Sequence, residues 1–186
     1  TASTMNSLLE GLGVMPLGLS TLPVDSEKRM QLSRKAGKRI VEMVMEDLRP
    51  AAFLTKNSFR NAAALCMALG GSTNAVIHLT AIAGRLGINI YPEIFNETGK
   101  LVPCIANVQP AGEKLIDEFD EAGGVPAVLA ALGSIIDVEA KTYTGKRVKE
   151  LLQHVHTKDQ NIIRSVQNPV TTGPTIAILS GNLAPK

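Results

Sequence analysis

The chain has 186 residues, of which 45% are hydrophobic, and its formal net charge is +2. Its cations are spread along the sequence, which argues against a dedicated nucleic-acid surface, and its longest apolar runs fall well short of the roughly 20 residues that cross a bilayer. No segment reads as a secretory signal. Aromatic residues make up only 3%, so aliphatic side chains must form the core of what we expect to be one domain.

The front of the chain predicts two helices separated by a Pro/Gly loop. The first spans about residues 4 to 12, with Ser3 as its N-cap. The second is amphipathic and runs from a cap at Asp25 or Ser26 to about Leu48. Its predicted apolar face holds Met30, Leu32, Ile40, Val41, Val44 and Met45. Its cationic face holds Lys28, Arg29, Arg34, Lys35, Lys38 and Arg39, and is interpreted as solvated, with an anionic partner as the alternative.

After Pro50 the sequence predicts a third helix that opens at Thr55 or Asn57 and breaks at Gly70-Gly71. A fourth starts at Ser72 and continues to about Leu86. In the second half, "PEIFNETGK" predicts a helical turn, whereas "GEKLIDEFDEAGG", "VPAVLAALGSI" and "RVKELLQHV" predict helices. Four segments predict strands: "INIY", "LVPCIANVQP", "DQNIIRSV" and "TIAILSGNL". The pattern indicates an α/β fold with a helix-rich front half.

The stretch "ALGGSTNAVIHL" is the strongest candidate for a site. A helix that begins at Ser72 leaves backbone N–H groups without helical partners, and the side chains of Ser72, Thr73 or Asn74 can accept some of them. The remaining donors and the helix dipole favour a carboxylate or phosphate. His78 lies four residues after Asn74, on the same helix face. Helix capping and ligand contact both fit this pattern, and they are compatible with each other.

Other motifs carry less chemistry. The two cysteines, Cys66 and Cys104, stand far apart without ligand-like neighbours, and we expect buried free thiols in a reducing compartment. "EAKTYTGKR" resembles a phosphate-binding loop, but Ala140 and Arg147 stand where that motif needs Gly and Ser or Thr. Composition and spacing alone therefore predict a soluble α/β domain with one candidate anion site, and no particular reaction.

Five ordered blocks resemble one enzyme family across essentially the whole chain. The blocks are "TASTMNSLLEGLG", "GKRIVEMVMEDLRP", "ALGGSTNAVIHLTAIAGRLGI", "VQPAGEKLIDEFDEAGGVPAV" and "ILSGNLAP". They are similar to the dihydroxy-acid dehydratases, a family that includes sugar-acid dehydratases and phosphogluconate dehydratase. The resemblance implies that the parent protein is a hydro-lyase that converts a 2,3-dihydroxy acid to a 2-keto acid. Its substrate would be a branched-chain dihydroxy acid of amino-acid biosynthesis or, alternatively, a sugar acid (aldonate).

The same resemblance implies an iron–sulfur cluster, [2Fe–2S] or [4Fe–4S], and Mg²⁺ in the parent. The family's cluster cysteines would lie upstream of Thr1, and its catalytic serine would lie downstream of this chain. We therefore assign no catalytic residue and no metal ligand to this chain, and expect no cofactor in this piece. Thr1 and Ser3 would lie beside the cluster. Ser72, Thr73, Asn74 and His78 match the family block and are the candidates for substrate or anion contact.

The chain starts with Thr1 and stops directly after an apolar stretch, from which we expect a fragment. Residues 1–170 would form part of the family's N-terminal domain. Residues 171–186 would be a linker and the first strand of a missing C-terminal domain. We further expect a cytoplasmic homo-oligomer that binds neither nucleic acid nor membrane. A non-catalytic module for small-anion binding or dimerisation is the alternative from another class.

Overall fold

A computed structural model describes residues 2–183, which fold into eight α-helices connected by turns and extended segments. Two short 3-10 helices, Pro50–Ala52 and Gly133–Ile135, complete the regular structure of this part of the chain. The α-helices are α1 (Ala2–Gly11), α2 (Glu27–Met45), α3 (Lys56–Leu69), α4 (Asn74–Arg85), α5 (Glu93–Leu101), α6 (Ile116–Glu121), α7 (Gly124–Leu132) and α8 (Val148–Leu152).

Helix α3 forms the centre of the core. Thr55 begins it with a capping box, in which its side chain accepts the Ser58 N–H while the Ser58 hydroxyl accepts the Thr55 N–H. Gly70 ends it in the left-handed conformation, with φ of 60°. Eleven of its fourteen residues are buried. Helices α1, α4, α5 and α7 pack around it. The small Ala62–Ala64 run lets these neighbours approach closely. Most of the core is aliphatic, as the composition predicted, but all four phenylalanines, Phe53, Phe59, Phe95 and Phe119, are buried in it as well.

The predicted strands are wrong, because residues 2–183 contain isolated β-bridges and no continuous strand. The buried segment around Ile105 is informative. The Ile105 and Ala106 N–H groups both donate to the Ala68 carbonyl at the end of α3, at 2.9 and 3.1 Å. Single bridges join Cys104 to Thr171 and Ala106 to Ile163. Its backbone is thus satisfied by a helix end and by separate crossing residues, so no ladder forms.

The sequence predicted where α1, α2 and α4 begin, and only the start of α2 is confirmed. Ser26 caps α2 by accepting the Arg29 N–H, as expected. Ser3 is wrong as an N-cap, because α1 already includes it and the Ser7 hydroxyl donates to its carbonyl. The predicted start at Ser72 lies two residues early, since α4 begins at Asn74. The "PEIFNETGK" turn is a nine-residue helix, α5.

Helix α2 does not bury the apolar face that the sequence predicts. Of its nineteen residues only Met43 is buried. The predicted core residues Met30, Ile40, Val41, Val44 and Met45 are exposed. On the cationic face, Arg39 pairs with Glu42 and Glu46 and donates from Nε to the Tyr143 carbonyl at 3.1 Å. Within residues 2–183, no helix combines the length and apolar character required to cross a membrane.

Candidate functional site

A pocket of about 200 Å³ lies between the start of α1 and the turn that follows α3. It brings together Ser3 and Ser72, two of the residues singled out in the sequence. Its walls come from three segments: Ser3, Thr4 and Ser7 of α1; Leu69, Gly70, Gly71 and Ser72; and Val108, Gln109, Pro110, Ile116 and Phe119. The lining combines hydroxyls, backbone amides and one side-chain amide with apolar surface, and includes no charged side chain. Such a surface can hydrogen-bond the polar end of a small molecule.

The glycine pair sets how closely α1 approaches this turn. A Cβ atom on Gly71 would lie 2.9 Å from both the Thr4 methyl carbon and Cys66 Sγ. Gly70 has φ of 60°, which favours glycine, and a Cβ there would collide with Ala111. The Ser72 N–H donates to Thr4 Oγ1 at 3.2 Å. The turn therefore packs closely against α1, and a larger residue at Gly71 would push the two segments apart.

The start of α4 is capped from within the chain. The Asn74 N–H donates to Ser72 Oγ at 3.3 Å. The N–H groups of Ala75 and Val76 donate to the Ser72 and Thr73 carbonyls at 3.0 and 3.1 Å. The N-cap residue is Thr73, whose side chain makes no capping hydrogen bond, and among the three side chains predicted as acceptors that of Ser72 accepts an N–H group. These three backbone N–H groups were candidates for binding an anion, but they already donate to acceptors within the chain. A ligand in this region would therefore have to contact side chains or other atoms of the pocket.

The remaining sequence candidates lie outside the pocket wall. Thr73, Asn74 and His78 are exposed on the first turns of α4, and Asn74 and His78 share one helix face as expected. Thr1 lies outside the described residues. Ser3 is exposed, whereas Ser7, one turn further along α1, is buried. The structure therefore places Ser3 and Ser72 in the pocket lining and leaves Thr73, Asn74 and His78 outside it.

Sequence reasoning missed Thr4 and Gln109 as pocket residues. Thr4 meets Ser72 across 68 positions of sequence, and no local pattern reports such a contact. Gln109 precedes Pro110 through a cis peptide bond on the opposite wall. The one indication in the sequence was that Thr4 and Gln109 each lie in a segment that resembles the dehydratase family.

The two thiols do not form a metal centre. Cys66 and Cys104 are free and buried, and burial raises the pKa of each, that of Cys66 to about 12. Among residues 2–183 no three His, Cys, Asp or Glu side chains are grouped as metal ligands. Two thiols without further ligands grouped beside them in residues 2–183 do not fit the four-ligand set that holds an iron–sulfur cluster.

A buried carboxylate, Glu10, has a structural role that the sequence did not indicate. Its two oxygens accept the N–H groups of Gly18 and Ser20 at 2.7 and 2.8 Å, which closes the loop after α1. Burial raises its pKa, and these backbone donors partly offset that effect. Nearby, the Thr21 hydroxyl donates to Asp120. Glu10 therefore anchors a loop and lies outside the candidate pocket.

The sequence matches known dehydratases along its whole length. The family model described as dihydroxy-acid/6-phosphogluconate dehydratase N-terminal covers residues 1–151. A protein named dihydroxy-acid dehydratase from Methanothermobacter thermautotrophicus is 42% identical over 100% of this chain and 34% of that protein. Proteins of the same name from Ignicoccus hospitalis and Acetivibrio thermocellus are 44% and 42% identical with the same coverage.

The chain thus spans 34% of the length of these curated relatives. The family match covers most of the chain, including both walls of the pocket from α1 and from the Gly70–Ser72 turn. On this evidence the chain belongs to the dihydroxy-acid/6-phosphogluconate dehydratase family and carries sequence of that family's N-terminal region.

Proposed function

We propose that this chain is part of a hydro-lyase that removes water from a 2,3-dihydroxy acid to give a 2-keto acid. The observation that carries the proposal is the identity of 42–44% over the full chain to proteins named dihydroxy-acid dehydratase. Those names favour a dihydroxy acid of branched-chain amino-acid biosynthesis as substrate. An aldonate remains the alternative, because sugar-acid dehydratases belong to the family that the sequence blocks resemble.

In this proposal the chain supplies a wall of the substrate site and not its reacting groups. Ser3, Thr4 and Ser72, each of which carries a hydroxyl, line a recess of about 200 Å³, a size suited to one end of a small acid. Thr73, Asn74 and His78 would border the same substrate from the exposed start of α4. Cys66 and Cys104 do not fit a cluster and take no part in the reaction. The iron–sulfur cluster and Mg²⁺ of the complete enzyme would be held by residues beyond this chain.

Binding to the pocket is tested by titrating the chain separately with a branched-chain 2,3-dihydroxy acid, an aldonate and inorganic phosphate. Calorimetry and amide chemical shifts measure the binding. The key variant is Ser72→Ala. Its matched control is Ser165→Ala, because Ser165 Oγ also accepts a backbone N–H, that of Asn168 at 3.2 Å. We expect millimolar dihydroxy acid to shift the amides of residues 70–74, and Ser72→Ala to weaken this response. Equal responses to all three ligands would support the non-catalytic anion-binding module instead.

The catalytic part of the proposal needs the residues that this chain does not contain. We would replace the matching third of the Methanothermobacter relative with this chain and measure 2-keto acid formation from each acid. We expect a folded, active chimera that prefers the branched-chain acid. A chimera with native circular dichroism that dehydrates neither acid would contradict the proposal, and a preference for the aldonate would reassign the substrate.

We also propose a cytoplasmic location, a homo-oligomeric state and a domain boundary near residue 171. Two free thiols support a reducing compartment. Exposed apolar side chains, including those of Leu179 and Leu183 near the end of the described chain, support association with further protein. Ile176 still packs into the core, whereas Leu179 is 82% exposed, so the change of environment lies after Ile176, a few residues beyond the proposed boundary.

A further inference from the structure

One part of the candidate pocket is apolar, in contrast to the hydroxyls and amides that line the rest. Helix α6 contributes Ile116 and Phe119, which stand three residues apart and therefore lie on one face of the helix. Leu69 and Val108 line the same pocket. We call these four residues the apolar wall. Leu69, Val108 and Phe119 are at most 8% exposed, whereas Ile116 is 41% exposed, so Ile116 can be replaced without disturbing the core.

Helix α6 is otherwise acidic, which makes its contribution to the pocket selective. Its six residues, "IDEFDE", include four carboxylates. Glu118 pairs with Lys114 at 2.9 Å and lines a separate depression, while Asp120 accepts a hydroxyl from the loop after α1. Asp117 and Glu121 are exposed. The helix thus adds its two apolar residues to the pocket lining and leaves all four carboxylates outside that lining.

The charge of the lining decides which end of an acid can enter the pocket. No charged side chain of the described residues lines it. Burying a carboxylate or a phosphate without a cation beside it is costly. The first N–H groups of α4 already donate within the chain. We therefore expect the carboxylate of a 2,3-dihydroxy acid to stay outside this recess and the substituent on its C3 atom to enter.

The hydroxyls of the lining are engaged in the fold. The Ser7 hydroxyl donates to the Ser3 carbonyl at 3.0 Å. Thr4 Oγ1 accepts the Ser72 N–H at 3.2 Å, and Ser72 Oγ accepts the Asn74 N–H at 3.3 Å. Each of these three hydroxyl oxygens thus uses part of its hydrogen-bonding capacity inside the chain, which leaves less for a ligand that carries many hydroxyls of its own.

The amides of the lining are engaged in the same way. The N–H groups of Gly70 and Gly71 donate to carbonyls of the last turn of α3, at 3.1 and 2.9 Å. The Gln109 side-chain amide donates to the Glu113 carbonyl at 3.4 Å. A hydroxylated chain that entered the pocket would lose hydrogen bonds to water and find few replacements. An aliphatic substituent loses none and gains contact with the apolar wall.

We propose that the apolar wall is the subsite for the aliphatic substituent of a branched-chain 2,3-dihydroxy acid, and that Ile116 helps to set the preference for this substrate over an aldonate. The inference rests on the proposed function, because it takes a dihydroxy acid as the ligand of the pocket. Ile116 is a specificity-determining residue, which contacts the substituent and takes part in no bond-making step. Phe119 and Val108 give the wall a fixed shape, since both are buried.

Two substitutions at Ile116 test the proposal in the chimera with the Methanothermobacter relative. Valine and threonine are both β-branched and similar in shape, and only threonine places a hydroxyl in the wall. The measured quantity is kcat/KM for the branched-chain acid divided by kcat/KM for the aldonate, a ratio that does not depend on the amount of folded enzyme. We expect this ratio to be about tenfold lower for Ile116→Thr than for Ile116→Val.

The matched control is Ile40, an exposed isoleucine of α2 outside the pocket. Ile40→Val and Ile40→Thr should give the same ratio as each other. Circular dichroism verifies that all four variants fold. Equal ratios for Ile116→Val and Ile116→Thr, or a difference as large at Ile40, would overturn the proposal.

Binding to this chain alone separates the subsite from the reaction. We expect millimolar branched-chain acid to shift the amide signals of residues 116–119, the aldonate to shift them several-fold less, and Ile116→Thr to respond more weakly than Ile116→Val. A response at residues 70–74 that leaves residues 116–119 unmoved would refute the apolar wall and still support the proposed substrate site. A chimera that dehydrates neither acid would contradict the proposed function, whereas a selective shift at residues 116–119 would still support the subsite.

Discussion

Helix α3 buries eleven of its fourteen residues, whereas the longer α2 buries only Met43. Both have clear N-caps and apolar residues at helical spacing. They differ in what surrounds them, since α3 is enclosed by α1, α4, α5 and α7 while α2 attaches along one narrow face. Periodicity therefore specifies that each segment is a helix, and tertiary context decides whether its apolar face is covered.

The largest expected difference between the two helices is in the cost of truncating an apolar side chain. Phe59→Ala in α3 removes a fully buried ring and should lower the free energy of unfolding by about 3–5 kcal/mol. Val44→Ala in α2 should change it by about 0.5 kcal/mol or less in dilute protein, because that side chain is exposed. Urea unfolding measures both. Similar losses from the two variants would mean that α2 is covered in solution.

Replacing a glycine by alanine should change the free energy of unfolding in opposite directions at the end of α3 and in the middle of α2. Gly70→Ala forces a Cβ into the left-handed region and against Ala111, so we expect a loss of roughly 2 kcal/mol. Gly37→Ala lies in an exposed helix interior with open space and should gain about 0.5–1 kcal/mol. The midpoints of urea unfolding should therefore move in opposite directions. A shift in the same direction would contradict the crowded, left-handed environment of Gly70 or the open, helical environment of Gly37.

The buried carboxylate Glu10 should produce a pH effect of intermediate size. Burial raises its folded pKa, so its stabilising contribution is complete below the ordinary glutamate value and is lost as pH rises through the folded pKa. Glu10→Gln lacks this titration. The difference in unfolding free energy between the native chain and the variant should therefore shrink as pH increases. A constant difference across that window would show that Glu10 does not titrate there.

The smallest effect is expected for Glu46 on α2, with the opposite pH dependence. Its hydrogen bonds to Arg39 lower its pKa, so its contribution is present above the ordinary glutamate value and is lost as pH falls through the folded pKa. Because the pair is solvent-screened, Glu46→Gln should alter stability less than Glu10→Gln at any pH. Urea unfolding at matched pH values compares the two, and a larger effect at Glu46 would reverse the ranking.

Local signals in the sequence were sufficient for three helix boundaries. Ser26, Thr55 and Gly70 act within one turn of their own position, so capping chemistry predicted two helix starts and one helix end. The strands failed because an apolar run such as that around Ile105 reports burial and does not specify its hydrogen-bond partners, which in this fold include the end of α3.

The candidate site was predictable only in part for the same reason. Ser72 belongs to a block that resembles a family, and its capping role follows from its neighbours. Its contact with Thr4, and the opposite wall at Gln109, depend on how distant segments pack. The roles of Ser3, Thr73, Asn74 and His78 toward a ligand remain predictions that titration with dihydroxy acid addresses.

Because Cys66 is buried beneath Gly71, the rate at which its thiol is chemically labelled measures how often the core opens. A thiol reagent attacks the thiolate, and this thiol is both inaccessible and held protonated, with burial raising its pKa to about 12. Labelling of Cys66 therefore requires the molecule to open between α1 and the Gly70–Gly71 turn. The labelling rate at Cys66, measured separately from that at Cys104, reports the frequency of that opening, and a ligand that binds the pocket slows it.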